Sequence, residues 1–471
     1  MRLWIEWFRC VYKLRSACSR YVTFSWMAVV LTAMAIRPDL LGVTSFVRGS
    51  FLVPLYYRSL LNHFHSNAVS LSLLLKAWVK LAMHLFQPIT VAGYTVFAAD
   101  GLKVPKEGKK MPAVKSLHQE SGDNSKAEFI MGHSFQAVSL LAESPTGQVF
   151  AVPLLSRICE GLTWRYKKNL RRITLLDKLT KLFLRIVRIA EVPAILVADA
   201  YYASQKIINP LLTEGHHLIT RARINSVAYR PAIRPKTRTP GRPKKYGTKV
   251  KLRNLFKAWR TFSDAISPVY GEQGVTIKYR EADLLWRPVG QIVRFVLVKH
   301  PTRGKIILMS TCLELDALTI IKLYGLRFKI EVSFKQAIHT LGTYAYHFWM
   351  MPMKPIKRCS GNQNLVGKSD PYRRAVKRKV DAYHRYVQLG CIAQGLLQHL
   401  AINFRDVVWS KFKSWLRTMN KCMVPSEMVV ASALKSSFPE FLLDRTTEPE
   451  LKKFILDHAE CDKIPGINMA A

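Results

Sequence analysis

Along the first 88 residues the apolar positions recur at helical intervals, with no strand-like alternation and few glycines. The segment 21–36, YVTFSWMAVVLTAMAI, is almost wholly apolar, and SLSLLLKAWVKLAMHLF runs to a stop at Pro88. A small helical domain over 1–88 is predicted. The run at 21–36 follows basic residues but falls short of the roughly 20 apolar residues of a spanning helix, so it reads as a buried helix, not a membrane or signal segment. From about residue 92 the pattern changes. Apolar runs predict strands at YTVFAAD (94–100), FIMGHSFQAVSLL (129–141) and QVFAVPLL (148–155), then a helix at 169–191, a strand at AILVAD (194–199), a helix at 201–212 and a strand at HHLITRAR (216–223).

Three strands followed by alternating helix and strand is the order of an α/β fold with an RNase H-like mixed sheet. In that arrangement the first and fourth strands are neighbours. A basic, proline-rich segment and three short strands, VTIKYREADLLW, QIVRFVLVKH and KIILMSTCLE, then interrupt the pattern between about 225 and 312. Beyond them lies LTIIKLYGLRFKIEVSFKQAI (318–338), in which Leu323, Leu326, Ile330, Phe334, Ala337 and Leu341 form one apolar stripe, leaving Tyr324, Arg327, Glu331 and Lys335 on another face. The basic stretch 351–380 reads as a loop entering a helix, and 384–404 as strongly helical. The expected division is therefore 1–88 helical, 89–224 first part of the core, 225–312 β-rich insertion, 313–405 second part of the core with the Glu331 helix, and 406–471 a helical region and tail. No repeat of fixed period is present.

Charge narrows the function. The chain carries 72 Lys and Arg against 31 Asp and Glu, a formal charge of +41, spread over its length. That favours a nucleic-acid partner over a membrane surface, which would call for basic residues clustered beside one apolar span. Residues 1–88 alone hold ten Lys or Arg against Glu6 and Asp39, consistent with helices laid on phosphates. The eight cysteines are scattered without a C-x-x-C pair, which argues against a disulfide framework or zinc cluster. A cytoplasmic protein is expected.

The candidate chemistry lies in three acids. Asp100 and Asp199 each close an apolar strand, and neighbouring first and fourth strands would bring them together across 99 positions; Glu331 would arrive on a later helix. Phosphodiester cleavage needs an activated nucleophile and relief of charge at the transition state, which two Mg²⁺ ions supply when held by hard oxygen ligands. Asp100 is expected to bridge both ions, with Asp199 and Glu331 holding one each. A single Asp after a strand is more often a cap or turn residue, and the Tyr324, Arg327, Glu331, Lys335 face alone is more often a solvated surface. The order of all three acids in one convergent pattern favours the catalytic reading. Arg327 could grip a phosphate or orient Glu331. Arg221 and Arg223, after the last core strand, are candidate DNA clamps or plain surface charge. Arg242, Lys244 and Lys245, in PGRPKK, could be a minor-groove arm or a basic connector contacting phosphates. His133 reads as a structural strand residue, and His216 with His217 as a turn pair.

With these residues the chain resembles the DDE transposases of bacterial insertion sequences, in particular the insertion-sequence-four type, over roughly residues 90–400. Their signature is Tyr, two residues, Arg, three residues, Glu, six residues, Lys; Tyr324, Arg327 and Glu331 match, whereas Ile338 stands at the lysine position and Lys335 lies on the same helix face. The resemblance implies a cut-and-paste recombinase with Asp100, Asp199 and Glu331 as catalytic and metal-holding residues, two Mg²⁺ ions with Mn²⁺ able to substitute, and double-stranded DNA (terminal inverted repeats and target) as partner. It implies a homodimer on DNA, association with the bacterial nucleoid, and neither a membrane nor a small-molecule substrate. Relatives pass through a DNA hairpin helped by an aromatic side chain; Trp286 could stack a flipped base or simply fill the insertion's core. An inactive DNA-binding derivative and an RNase H-like resolvase or nuclease are the rival readings.

Overall fold

The computed structural model describes residues 1–119, 127–164, 173–233, 243–413, 419–444 and 450–466. Its longer elements begin with helices α1 (Arg2–Tyr12), α2 (Tyr21–Ile36), α3 (Thr44–Gly49), α4 (Tyr57–His65) and α5 (Leu71–Leu85). Strands β1 (Tyr94–Pro105), β2 (Lys115–His118), β3 (Phe129–Glu143) and β4 (Val149–Ile158) follow, then α6 (Leu175–Ala190), β5 (Ala194–Ala198), α7 (Gln205–Thr213) and β6 (His217–Ala222). Next come β7 (Val227–Pro231), β8 (Tyr246–Lys251), β9 (Thr276–Trp286), β10 (Gln291–His300) and β11 (Gly304–Ser310), and finally α8 (Ala317–Leu326), α9 (Lys329–His339), α10 (Asp370–Asn403) and α11 (Glu427–Leu443). The mixed α/β class expected from the sequence is the one found. No described helix is long and apolar enough to cross a membrane, and α2 is a buried helix. All eight cysteines are free thiols.

The chain forms two compact units. One comprises Met1–Gln87, Gly101–Arg172 and Glu331–Ala471; the other Pro88–Asp100 and Ile173–Ile330. The cut differs from the sequence-based division, because the N-terminal helices share a core with α10. Buried polar groups on α10 bind carbonyls elsewhere in that unit: Arg385 donates to Val69 O and Phe64 O (both 3.0 Å), and Gln388 to Leu154 O (2.9 Å). From α1, Glu6 accepts from Arg9 twice at 2.7 Å and from His399 Nε2 at 2.7 Å. Burial works against the Glu6 carboxylate, yet its bonds to Arg9 and His399 hold it down at about 2. In the same unit β3 is flanked by β2 and β4, both antiparallel, and Gly101–Pro105 runs beside it, with Lys106 N donating to Met131 O (2.8 Å). His133 is the structural residue expected, buried in β3 with Nε2 against Pro112 O (2.9 Å).

The second unit is built on β5, whose five residues are all buried, the mark of a central parallel strand covered on both faces. β1 pairs with it in parallel, Thr95 to Ala194 through Ala99 to Ala198, and β6 pairs in parallel on its other side. Helix α6 is started by a reciprocal cap between Thr174 and Asp177 and ended by Glu191 in left-handed conformation. The insertion is no separate sheet: β11 pairs antiparallel with β6, and β10, β9, β7 and β8 continue outward in that order.

Several expectations are corrected. β1 does not end at Asp100 but runs on to Pro105, because its second half has β3 beside it after the pairing with β5 stops. The helix expected from 201 starts at Gln205, since Ser204 caps it after a tight turn at Ala200–Tyr202. The single helix expected at 318–338 is two, α8 and α9, because Arg327 N bonds Tyr324 O and Ile330 N bonds Arg327 O (both 3.1 Å), a three-residue spacing that tightens the backbone at the junction.

Lys106 generates a test. Its Nζ is buried and donates to Tyr344 O (2.5 Å) and Tyr346 O (3.4 Å), with the Tyr383 ring 5.3 Å away. Burial lowers its pKa to about 8, whereas an unfolded lysine titrates near 10.4. Between these values the unfolded chain binds more protons, so this group adds stability as pH rises, by up to about 1.4 kcal/mol per pH unit. Urea unfolding from about pH 8 to 10 should show a shallower rise in Lys106→Met than in wild type; coincident slopes would mean Lys106 titrates normally.

Candidate active site

The pairing of β1 with β5 sets the first two acids level. Ala99 and Ala198 are the last partners, so Asp100 and Asp199 follow side by side on adjacent parallel strands, whose backbones lie about 4.8 Å apart. Both are half-buried. Asp199 precedes a tight turn, yet its side chain makes no capping hydrogen bond. Asp316, at the start of α8, shows the ordinary alternative: its carboxylate accepts from Thr319 N (2.9 Å) and caps the helix. The cap reading therefore applies to Asp316 and not to Asp199. Thr220 on β6 donates to the Asp199 carbonyl (2.8 Å) and steadies the turn.

The end of α8 supplies the counter-charge. Arg327 Nη1 pairs with Asp100 Oδ2 at 2.9 Å, both side chains mostly shielded from solvent. Tyr324 OH lies 3.5 Å from Asp199 Oδ1. Burial raises the Tyr324 pKa, with Arg327 and Arg221 pulling the other way and Asp199 adding to the rise, so the phenol stays protonated and can donate. Arg327 thus pairs with Asp100, a partner not anticipated from the sequence. Lys329, at the start of α9, sits 3.7 Å from the Tyr270 ring centroid, and burial lowers its pKa to about 8. Neither Thr220 nor Lys329 carried a signal in the linear pattern, since each acts through a partner far along the chain.

Glu331 occupies the first turn of α9, where helix polarity favours an acid, and is exposed, as is Lys335 one turn on. Arg221 and Arg223 are exposed at the end of β6, and Lys244 and Lys245 are exposed ahead of β8. Arg242 lies outside the described residues. Trp286 closes β9 with 8 % of its surface exposed. His217 is held between Thr311 Oγ1 and Tyr94 OH (both 3.2 Å) at the start of β6.

The donor set suits a hard cation. Asp100 and Asp199 offer carboxylate oxygens from a rigid sheet, the hard-oxygen type of donor that divalent cations prefer. Such a pair can bind a divalent metal and present it to a phosphate.

Comparisons with known proteins bear on this geometry. Residues 172–342 match the family described as the transposase DDE domain, a span that takes in Asp199, Tyr324, Arg327 and Glu331 and begins after Asp100. No curated protein matches the sequence. Among solved structures, the cryo-EM structure of piggyBac transposase synaptic complex with hairpin DNA aligns with 11 % identity and a TM-score of 0.33, covering 95 % of this chain and 78 % of that one. Over residues 172–342 the chain is similar to the transposase DDE domain.

Proposed function

We propose that the protein is a divalent-metal-dependent DNA transposase of the insertion-sequence-four type, in which Asp100, Asp199 and Glu331 form the catalytic, metal-holding set. The observation that carries this reading is the register of β1 on β5, which sets Asp100 beside Asp199 with neither acting as a helix cap. Bound Mg²⁺, or Mn²⁺ in its place, would activate the attacking oxygen and stabilise the leaving one. The protein's own residues do the rest. Asp100 and Asp199 hold the metal, Glu331 completes the set, and Arg327 and Tyr324 keep the two aspartates oriented. Arg221, Arg223, Lys335, Lys244 and Lys245 offer cations to the DNA phosphates, as would Arg242. The substrate is double-stranded DNA ending in the element's inverted repeats, paired by a homodimer that cuts at the boundary and transfers the freed 3′ end to a target. Trp286 is the candidate stacking residue in the insertion. A cytoplasmic, nucleoid-associated setting follows from that substrate.

Cleavage of DNA carrying the element's ends tests the reading. Wild type should cut at the boundary with Mg²⁺ or Mn²⁺ and not with EDTA, while Asp100→Ala, Asp199→Ala and Glu331→Ala fall below about 1 % of wild type with DNA binding retained. Binding without cutting under either metal, or cutting of branched DNA regardless of the boundary, would reject it. Metal binding can be read without activity. At about 100 times its dissociation constant a bound cation adds about 2.7 kcal/mol to stability, so Mg²⁺ should raise the melting temperature of wild type and leave Asp100→Asn and Asp199→Asn unchanged. An equal shift in all three proteins would remove these aspartates as ligands.

A further inference from the structure

The stretch 340–369, between α9 and α10, contains only a two-residue strand, Gln363–Asn364, as regular structure. Connections beyond about 15 residues are uncommon in compact proteins and are usually functional or disordered. This one is neither loose nor short of partners. Met350 N donates to Lys110 O (2.9 Å), Ile356 N to Lys109 O (2.7 Å) and Ser116 N to Ser360 O (2.7 Å). The Gln363 side chain bonds Met111 O (3.0 Å) and Val114 O (2.8 Å) while accepting from Ala113 N (3.3 Å). Its backbone pairs in parallel with Leu162–Thr163. Gly161 makes this seat possible: at φ +98° its backbone is so close to Ala113 that an added Cβ would lie 1.9 Å from the carbonyl oxygen. Underneath, Met350, Met353, Leu365 and Val376 form a small core of their own.

What this scaffold presents outward is charge. A concave basin of about 500 Å³ is bordered by Lys354, Lys357 and Lys368, with Asn362 and Tyr372 also on its wall. All three lysines are exposed, as are Arg374 and Arg378, one turn apart on the first turns of α10. None of the five has an ion-pair partner among the described residues, whereas Arg373 and Lys377 on the same helix turn to Asp370 and Asp381. Ordering thirty residues to hold unpaired cations in place costs conformational entropy and adds like-charge repulsion, so the arrangement is explained by a polyanion that the cations meet.

We propose that the 350–369 loop and the first turns of α10 form a preorganised seat for the phosphate backbone of duplex DNA. This rests on the transposase reading for its choice of polyanion, and it names a surface that the acids and their neighbours do not include. Phosphate contacts of this kind position a duplex and carry no sequence information.

The test uses the full-length protein and a fluorescent duplex of about 30 base pairs of arbitrary sequence, with affinity followed by anisotropy from about 50 to 400 mM NaCl. Each phosphate contact contributes about 0.9 to the slope of log affinity against log salt, so Lys354→Gln/Lys357→Gln/Lys368→Gln should lower the slope by about 2 to 3 and weaken binding on the order of tenfold or more. Arg374→Gln/Arg378→Gln should lower it by about 1 to 2. A control removing as much charge elsewhere, Lys421→Gln/Lys435→Gln/Lys453→Gln, should keep the wild-type slope, and matching thermal melts confirm that all variants fold. A triple variant whose slope equals the control's overturns the inference, as does one that binds DNA normally but no longer binds vesicles of anionic phospholipid. If wild type binds no duplex at all, the transposase reading fails first and this seat with it; retained salt-dependent binding with no cleavage separates the two.

Discussion

Five residues of β1 lying in parallel register on five residues of β5 are the contact on which the candidate site depends. Side chains in a strand alternate faces, so a slip of one residue would turn Asp100 to the opposite side of the sheet from Asp199. Burial prevents the slip. Val96, Phe97, Ala98 and Ala99 on one strand and all five residues of the other are shielded from water, and Phe97 meets Phe183 of α6 edge to face at 5.9 Å. Any other register would expose apolar surface and drive a carboxylate toward the interior, where an unpaired charge is costly.

Two acids set side by side repel each other, and the end of α8 answers that repulsion. Arg327 takes one oxygen of Asp100, and Tyr324 approaches Asp199 with a phenol that burial keeps protonated. The tight turn between α8 and α9 falls directly after this pair, and Glu331 follows in the next turn. The arrangement neutralises part of the charge on the two carboxylates, in a chain whose overall balance is strongly positive. Local acidity inside a basic protein is what a metal-assisted reaction on a polyanion calls for: in the proposed function the acids would hold cations, and the surrounding lysines and arginines would hold the substrate.

In the other unit α10 plays the organising part. Its second half is buried on every side, yet it carries Gln388, Gln394 and Gln398, which donate to Leu154 O, Ser333 O and Glu427 Oε1. Burial raises the Glu427 pKa, while its bonds to the helix backbone and to Gln394 and Gln398 hold it in place. The amide nitrogens of the three glutamines are paired although their amide oxygens are buried without a partner among the described residues, and such paired donors fix which neighbours a long apolar helix can accept, because any shift strands a buried donor. The same helix emerges at its start into the basic face beside the 350–369 loop, so one rigid element carries both a core and a charged surface.

The linear pattern was sufficient for the type and order of most elements: the N-terminal helices, strands β1, β3, β4, β5 and β6, the three strands of the insertion, and the helical stretch around Glu331. Runs such as AILVA and the stripe of Leu323, Leu326 and Ile330 declare themselves because burial imposes a period on the residues that suffer it. The acids could be picked out as well, since a charge closing an apolar run is conspicuous. Partners without a sustained apolar run were not legible: β2 (KSLH), β7 (VAYRP) and β8 (YGTKVK) exist because a neighbouring strand offers unpaired backbone groups. Nor could sequence say that β1 continues past Asp100, that Arg327 would choose Asp100, that Asp316 and not Asp199 would serve as a cap, or that the N-terminal helices would share a core with α10. Each of those outcomes is decided by groups far apart in the chain competing for the same hydrogen bonds and the same buried volume, and only the tertiary structure settles which partner wins.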